Sequence, residues 1–141
     1  MMRGALAGAA AAAVWAAVEP LGRRILRTPD TYSDLRLLGR PLSRDHSQPV
    51  GFALHLVNGA AFGMAFRLLG GAGWRQGLAV AQAENALFWP GMVAVDRLHP
   101  DRRSGDWPPL ARNGRVFAYE VAMHAVFGVA LGLFLRRARS A

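Results

Sequence analysis

The stretch ALHLVNGAAFGMAF, residues 53–66, decides the fold because it is apolar enough for the interior of a membrane. It also contains one histidine, His55, with Gly59 and Gly63 four and eight residues later. A helix that crosses the hydrocarbon layer needs about 20 largely apolar residues. The longer run 50–69 meets that length, so this part of the chain predicts a transmembrane helix that carries polar groups inside it.

Three further apolar runs predict that the chain crosses the membrane four times. These runs do not alternate with charged positions at the helical period, which a water-facing helix would need. We therefore prefer four membrane helices to a soluble helical bundle, and expect an all-α, four-helix transmembrane bundle in a single domain of residues 1–141. The expected spans are 4–19, 50–69, 76–96 and 115–136, with polar loops at 20–49 and 97–114.

The first span allows a second interpretation. Residues 1–18 hold one arginine, an apolar core and small residues near their end, which is also the pattern of a cleaved secretory signal peptide. We favour a retained helix, because Pro20 and Arg23 follow closely and three other spans need a partner to pack against. The signal-peptide alternative stays open at this point.

The chain also contains an internal similarity. A shift of 69 residues aligns the second span with the fourth, His55 with His124, Gly59 with Gly128, and Gly63 with Gly132. The first and third spans match more weakly, in residues 14–24 against 92–103. We interpret the pattern as two tandem helix-hairpin repeats related by an axis along the membrane normal.

The repeated glycines indicate close helix packing. Glycines four residues apart lie on one ridge of a helix and let another backbone approach closely. This assigns packing roles to Gly59, Gly63, Gly128 and Gly132. Because four spans make a thin bundle for a solute pathway, we also expect a homodimer packed through these ridges.

Polar residues of three spans lie at similar depth. His55 and His124 each stand 12 residues before an arginine that ends the span, about 18 Å from that face at 1.5 Å per residue. Glu84 stands about 15 Å from the same face on the third span. Ionisable groups at this depth are costly and normally face partners inside the bundle. The expected cluster comprises His55, Asn58, Glu84, Asn85, Glu120 and His124.

Three interpretations of this cluster remain open. It could hold the helices together through hydrogen bonds, it could bind a small ligand or carry a transport pathway, or His55 and His124 could ligate a b-type haem. We expect no catalytic residues and no metal site, because nucleophile and zinc motifs are missing from the sequence. The leading hypothesis is a non-enzymatic membrane protein without cofactor, with a haem-binding electron-transfer protein as the alternative and a lipid-modifying enzyme as the weaker option.

The two long loops are interpreted as polar connectors. Residues 31–40 predict a short helix with Ser33 or Asp34 at its N-cap. We expect the segment 96–110, despite its histidine and its aspartates, to be a solvated loop that touches lipid headgroups.

The charge of the chain points to a membrane partner. The net charge is +8, and all 17 basic residues are arginines, which is also what a GC-rich bacterial genome produces. The arginines flank apolar runs, so anionic lipid headgroups fit them better than nucleic acid. Eleven of them lie in or beside the two long loops, which the positive-inside rule places in the cytoplasm of a bacterial cell membrane. The lack of cysteine excludes disulfides and thiolate chemistry.

Three stretches together resemble a known group of proteins. GFALHLVNGAAFG (51–63), WPGMVAVDRLHP (89–100) and the closing H-x3-G-x3-G look like a group of small, uncharacterised four-span bacterial integral membrane proteins. The resemblance covers most of the chain outside residues 25–48. It implies an integral membrane fold, and it assigns no activity and no functional residue.

Overall fold

The computed structural model describes the backbone of residues 1–140 and the side chains of residues 1–136. All regular elements in that part of the chain are helical, which confirms the expected all-α class. They are α1 (Met2–Leu26), α2 (Asp34–Gly39), α3 (Ser47–Leu68), α4 (Trp74–Phe88), α5 (Met92–Leu98), α6 (Pro100–Arg103) and α7 (Gly114–Ser140), with one 3-10 turn (Trp89–Gly91) between α4 and α5.

Three of these helices are long and apolar enough to cross a membrane. They are α1, α3 and the part of α7 that ends at Arg136, and they lie over the expected spans 4–19, 50–69 and 115–136. Helix α1 continues seven residues beyond Glu19 and passes through Pro20 without ending.

The expected span 76–96 is not one continuous helix. Helix α4 ends at Phe88 after 15 residues, which is shorter than the roughly 17 that a spanning helix needs. Pro90 lies in the break, and its ring nitrogen carries no hydrogen and cannot donate to the carbonyl four residues earlier. The chain therefore has three continuous candidate membrane helices rather than the four predicted.

The long helices pack in a row. Helix α1 packs along both α3 and α7, and α4 packs along the other side of α7. In the part of the chain that the structure describes, α3 and α4 share no extensive contact. A cleft therefore remains between α3 and α4, with α1 and α7 behind it, and α2 packs against α3 beside it.

The glycines singled out by the sequence lie in close helix contacts. The contacts join Gly59 and Gly63 to Gly4 and Gly8, and Gly128 and Gly132 to Gly73 and Gly77. A methyl group added at Gly8 would lie 2.0 Å from the carbonyl oxygen of Gly59, and one at Gly77 would lie 2.1 Å from that of Gly128. Both ridges are thus covered within one chain, so they are not the surface through which the expected homodimer would form.

We predict that Gly8→Ala destabilises the protein by about 1–3 kcal/mol, since the backbones of α1 and α3 must separate to admit the methyl group. Gly114→Ala is the matched control, because nothing lies within 4 Å of the methyl group that it adds. Thermal unfolding in detergent, followed by size-exclusion chromatography, compares the two. Equal melting temperatures for both variants would contradict the packing role.

Candidate ligand cavity

The cleft between α3 and α4 contains a cavity of about 290 Å³. The six polar residues predicted as a cluster all line this cavity, namely His55, Asn58, Glu84, Asn85, Glu120 and His124. Helix α2 closes one side with Leu37 and Leu38, and the break after α4 contributes Trp89. The cavity therefore brings together groups that lie up to 69 residues apart in the sequence.

His124 and Glu84 form a polar pair across α7 and α4. The Nε2 atom of His124 lies 2.9 Å from Oε2 of Glu84, and its Nδ1 atom lies 2.7 Å from the backbone carbonyl oxygen of Glu120. A carbonyl only accepts, so Nδ1 donates its hydrogen there. The Nε2–Oε2 contact then needs one further proton, held either by the imidazole or by the carboxyl group. The pair is neutral overall in both arrangements.

His55 occupies the opposite wall of the cavity and is 7% exposed. Its Nε2 atom is buried and has no hydrogen-bond partner among the described residues. Trp15 packs edge-on against both imidazoles, with ring centroids 5.2 Å from His55 and 4.8 Å from His124. His55 therefore offers a nitrogen that a bound molecule could engage.

This geometry does not favour the haem alternative. Two histidines that ligate one iron must each direct a ring nitrogen at it. Both nitrogens of His124 already contact Glu84 and the Glu120 carbonyl. Among the described residues, no three histidine, aspartate or glutamate side chains are grouped so that they could hold a metal ion.

A buried carboxylate that the sequence analysis missed borders the same cavity. Asp34 is 5% exposed, and its carboxylate accepts hydrogen bonds from Trp15 Nε1 at 2.8 Å, from the Tyr32 hydroxyl at 3.0 Å and from the Tyr119 hydroxyl. The sequence predicts Asp34 only as an alternative helix cap, and in the structure Ser33 caps α2 instead. Its three donors join α1, α7 and the loop between α1 and α2.

Glu120 and Glu19 extend this network. The Tyr32 hydroxyl, which contacts Asp34, also lies 2.5 Å from Oε1 of Glu120. The carboxylate of Glu19 accepts a hydrogen bond from the backbone nitrogen of Asp34 at 3.2 Å. Burial, then the negative charges of Asp34 and Glu120, raise the pKa of Tyr32 well above its ordinary value, so its hydroxyl stays protonated. The Tyr32 hydroxyl has one hydrogen and lies within reach of both carboxylates, so it links Asp34 and Glu120.

The sequence did contain a signal for this network. Glu19 and Glu120 lie at about the same depth, near the arginine-rich loops, by the rise per residue of a helix. Their matched depth predicts that Glu19 and Glu120 lie near each other. Nothing local in the sequence predicts that Asp34 is buried between them.

Comparisons with known proteins add no family to this description. A scan against protein-family models finds no match, and neither does a search of curated proteins or of solved structures. The resemblance to small four-span membrane proteins stays a prediction.

The two long loops pack together above the cavity instead of lying free in solvent. Asp101 is fully buried and binds Arg36 at 2.6 Å and Arg40 at 2.9 Å, while Trp107 is 1% exposed and stacks on His99 at 4.4 Å. The segment 96–110 is therefore solvated only in part: residues 103–106 are exposed, while His99, Asp101, Trp107 and Leu110 are buried. Burial raises the pKa of Asp101, but the hydrogen bonds and charges of Arg36 and Arg40 outweigh it and hold that pKa below its usual value.

We predict that Asp34→Asn lowers the free energy of unfolding by about 2 kcal/mol, because the amide nitrogen would face donors where a carboxylate oxygen now accepts. Asp45→Asn is the control, since Asp45 is an exposed loop residue. Thermal unfolding measures stability, and near-ultraviolet circular dichroism reports on Trp15. A variant as stable as the control would show that the network is not needed for folding.

We predict that Asp101 contributes to acid sensitivity. Its lowered pKa means that its stabilising contribution is present above the unfolded value near pH 4 and is lost as the pH falls through the lower folded value. Asp101→Asn should therefore be less stable at pH 7 and lose less stability than the wild type between pH 5 and pH 2. Melting temperatures across this range test it.

Asp106→Asn serves as the control for this experiment, because Asp106 contacts the same Arg36 at 3.2 Å but is exposed. Exposed ion pairs contribute about 0–1 kcal/mol, so this variant should follow the wild type closely. Parallel acid profiles for the wild type and Asp101→Asn would contradict the role of Asp101.

Proposed function

We propose that this chain is a non-enzymatic, multi-pass membrane protein that binds a small organic cation in the cavity between α3 and α4. The observation that carries the proposal is the convergence of acidic, imidazole and amide side chains from α3, α4 and α7 on one cavity. Buried ionisable groups at membrane depth usually face an interior site and often mark a ligand or ion pathway.

The size and the walls of the cavity suit a small ligand. A volume of about 290 Å³ is at the lower end of the roughly 300–1,000 Å³ found for ligand pockets. Aromatic rings form much of the apolar wall, and the face of an aromatic ring attracts a cation. The rings belong to Trp15, Phe62, Phe88, Trp89 and Phe127.

The charge of the cavity favours a cation over an anion. Glu84 and His124 share a proton and are neutral as a pair, as argued above. Asp34 and Glu120 both line the cavity, and three hydrogen-bond donors stabilise the carboxylate of Asp34. No arginine lines this cavity in the part of the chain that the structure describes, so the negative charge is not neutralised from the walls.

We further propose that α4, the 3-10 turn and α5 together form a fourth, interrupted span over residues 74–98. Transporters often build their binding sites at interrupted membrane helices, where freed backbone groups face a cavity. The break at Trp89–Gly91 adjoins the cavity here, since Phe88, Trp89 and Met92 all line it.

The proposed tandem repeat is supported by the glycine contacts. The 69-residue shift that relates Gly59 and Gly63 to Gly128 and Gly132 also relates Gly4 and Gly8 to Gly73 and Gly77. The close contacts of α1 with α3 thus have counterparts between α4 and α7. The same shift relates Trp15 to Glu84, the residues that contact the two equivalent histidines. The glycine contacts thus favour this register for the first and third spans over the alignment of residues 14–24 with 92–103.

The proposed location is a bacterial cell membrane with both long loops in the cytoplasm. Contacts between the loops support their position at one end of the bundle, because Thr31 donates to the carbonyl of Asp106 at 2.8 Å and Arg36 binds Asp101. The arginine content of these loops suits the side of the membrane that attracts positive charge.

We predict that purified protein binds n-butylammonium or tetramethylammonium, and that Glu84→Gln weakens binding at least tenfold. A cation that displaces the proton shared by Glu84 and His124 would pair with the Glu84 carboxylate, and the amide carries no charge to pair with it. Isothermal titration calorimetry in detergent measures the affinity, with neutral n-butanol as the uncharged probe. Asp45→Asn is the charge-matched control and should bind as the wild type does.

Two results would contradict this proposal. Binding of butanol as tight as that of the ammonium probes would exclude charge recognition. Thermal unfolding shows whether the purified protein is folded. If the folded protein binds neither ammonium probe, the cluster would have a role in helix assembly alone.

A further inference from the structure

A second pocket, of about 670 Å³, lies at the arginine-rich end of the molecule. It is formed by the end of α1, the chain that follows it, and the beginning of α7. Its lining includes four arginines and one aspartate, namely Arg23, Arg24, Arg27, Arg115 and Asp30. This pocket is separate from the cavity between α3 and α4, with which it shares no lining residue.

Two buried donors of this pocket have no partner among the described residues. Arg23 donates through Nη1 to the carbonyl of Tyr32, but its Nε atom is buried and unpaired. The hydroxyl of Thr28 is also unpaired, in a residue that is only 7% exposed. Buried polar groups in folded proteins are nearly always hydrogen-bonded to protein or to ordered water, so these two donors are available to a bound acceptor.

The backbone places the arginines around these donors at a conformational cost. Arg27 ends α1 in the left-handed conformation, with φ 52° and ψ 47°. Glycine is the usual residue at such a helix end, because a side chain there costs about 1 kcal/mol or more. The turn is held by backbone hydrogen bonds from Arg27 and Thr28 to the carbonyl of Arg23. An arginine at this position is unfavourable for the fold alone.

We propose that this pocket binds a phosphate group, carried either by an anionic lipid headgroup or by a free phosphate compound. Arginine guanidinium groups bind phosphate oxygens through paired, charge-assisted hydrogen bonds. The Thr28 hydroxyl and the unpaired Nε of Arg23 would supply two further donors. The amino end of α7 borders the same space and adds positive potential, and Asp30 is the one acidic residue of the lining. Because α1 and α7 are both candidate membrane helices, their ends at this pocket fit the level of lipid headgroups.

The simpler explanation is that these arginines only stabilise the carboxyl end of α1 through its helix dipole. Arg27→Gly separates the two explanations. Glycine adopts the left-handed conformation freely, so the variant should melt at the same temperature as the wild type or higher in the absence of ligand. It should nevertheless bind phosphate at least fivefold more weakly.

The experiment titrates detergent-purified full-length protein with short-chain phosphatidylglycerol, with inorganic phosphate and, as a zwitterionic comparison, with short-chain phosphatidylcholine. Microscale thermophoresis measures each affinity for the wild type, Arg27→Gly, Arg24→Gln and the control Arg44→Gln. Arg44 is exposed at the same end of the molecule and does not line the pocket.

Tighter binding of phosphatidylglycerol than of inorganic phosphate, lost in Arg27→Gly and Arg24→Gln, would identify a lipid site. If inorganic phosphate binds as tightly as phosphatidylglycerol, and the same two substitutions weaken its binding equally, the ligand is a free phosphate compound. The proposal is overturned if neither probe binds, if Arg44→Gln weakens binding as much as the pocket variants do, or if phosphatidylcholine binds as tightly as phosphatidylglycerol.

Discussion

The close approach of glycine backbones is the constraint on which the arrangement of the long helices depends. Gly8 contacts Gly59 between α1 and α3, and Gly77 contacts Gly128 between α4 and α7, with no room for a methyl group at either place. Inside a membrane, helices gain little from hydrophobic association, so close packing and polar contacts must hold them together. These contacts pair α1 with α3 and α4 with α7, and the pairs then meet through α1 and α7, which leaves α3 and α4 apart.

Polar side chains line the space between α3 and α4, and burying polar groups without hydrogen-bond partners costs free energy. The protein meets this cost mainly within the chain. Asp34 accepts three hydrogen bonds, and Glu84 pairs with His124. His55 keeps one buried nitrogen that has no hydrogen-bond partner among the residues that the structure describes.

The loops contribute to this interior as much as the helices do. Asp34, the first residue of α2, lies inside the bundle, where Trp15 donates to its carboxylate. Asp101 forms ion pairs with Arg36 and Arg40 at the same end of the bundle. The loops thereby cover the acidic network at one end of the bundle, and the arginines that remain outside this cover surround the second pocket. The acidic network thus lies inside the bundle, and the arginines of the second pocket lie at its end.

The amino-acid sequence by itself determined the helical class, three of the helices, the glycines that pack closely and the polar residues of the cavity, because each follows from local composition or from spacing along one helix. The sequence predicted a continuous span over 76–96, and only the structure shows the 3-10 turn at Trp89–Gly91 that interrupts it. Which helices face each other, and the burial of Asp34 and Asp101, were decided by tertiary structure. Such contacts depend on how each helix is rotated about its axis and on where a long loop returns to the bundle, and residue spacing specifies neither.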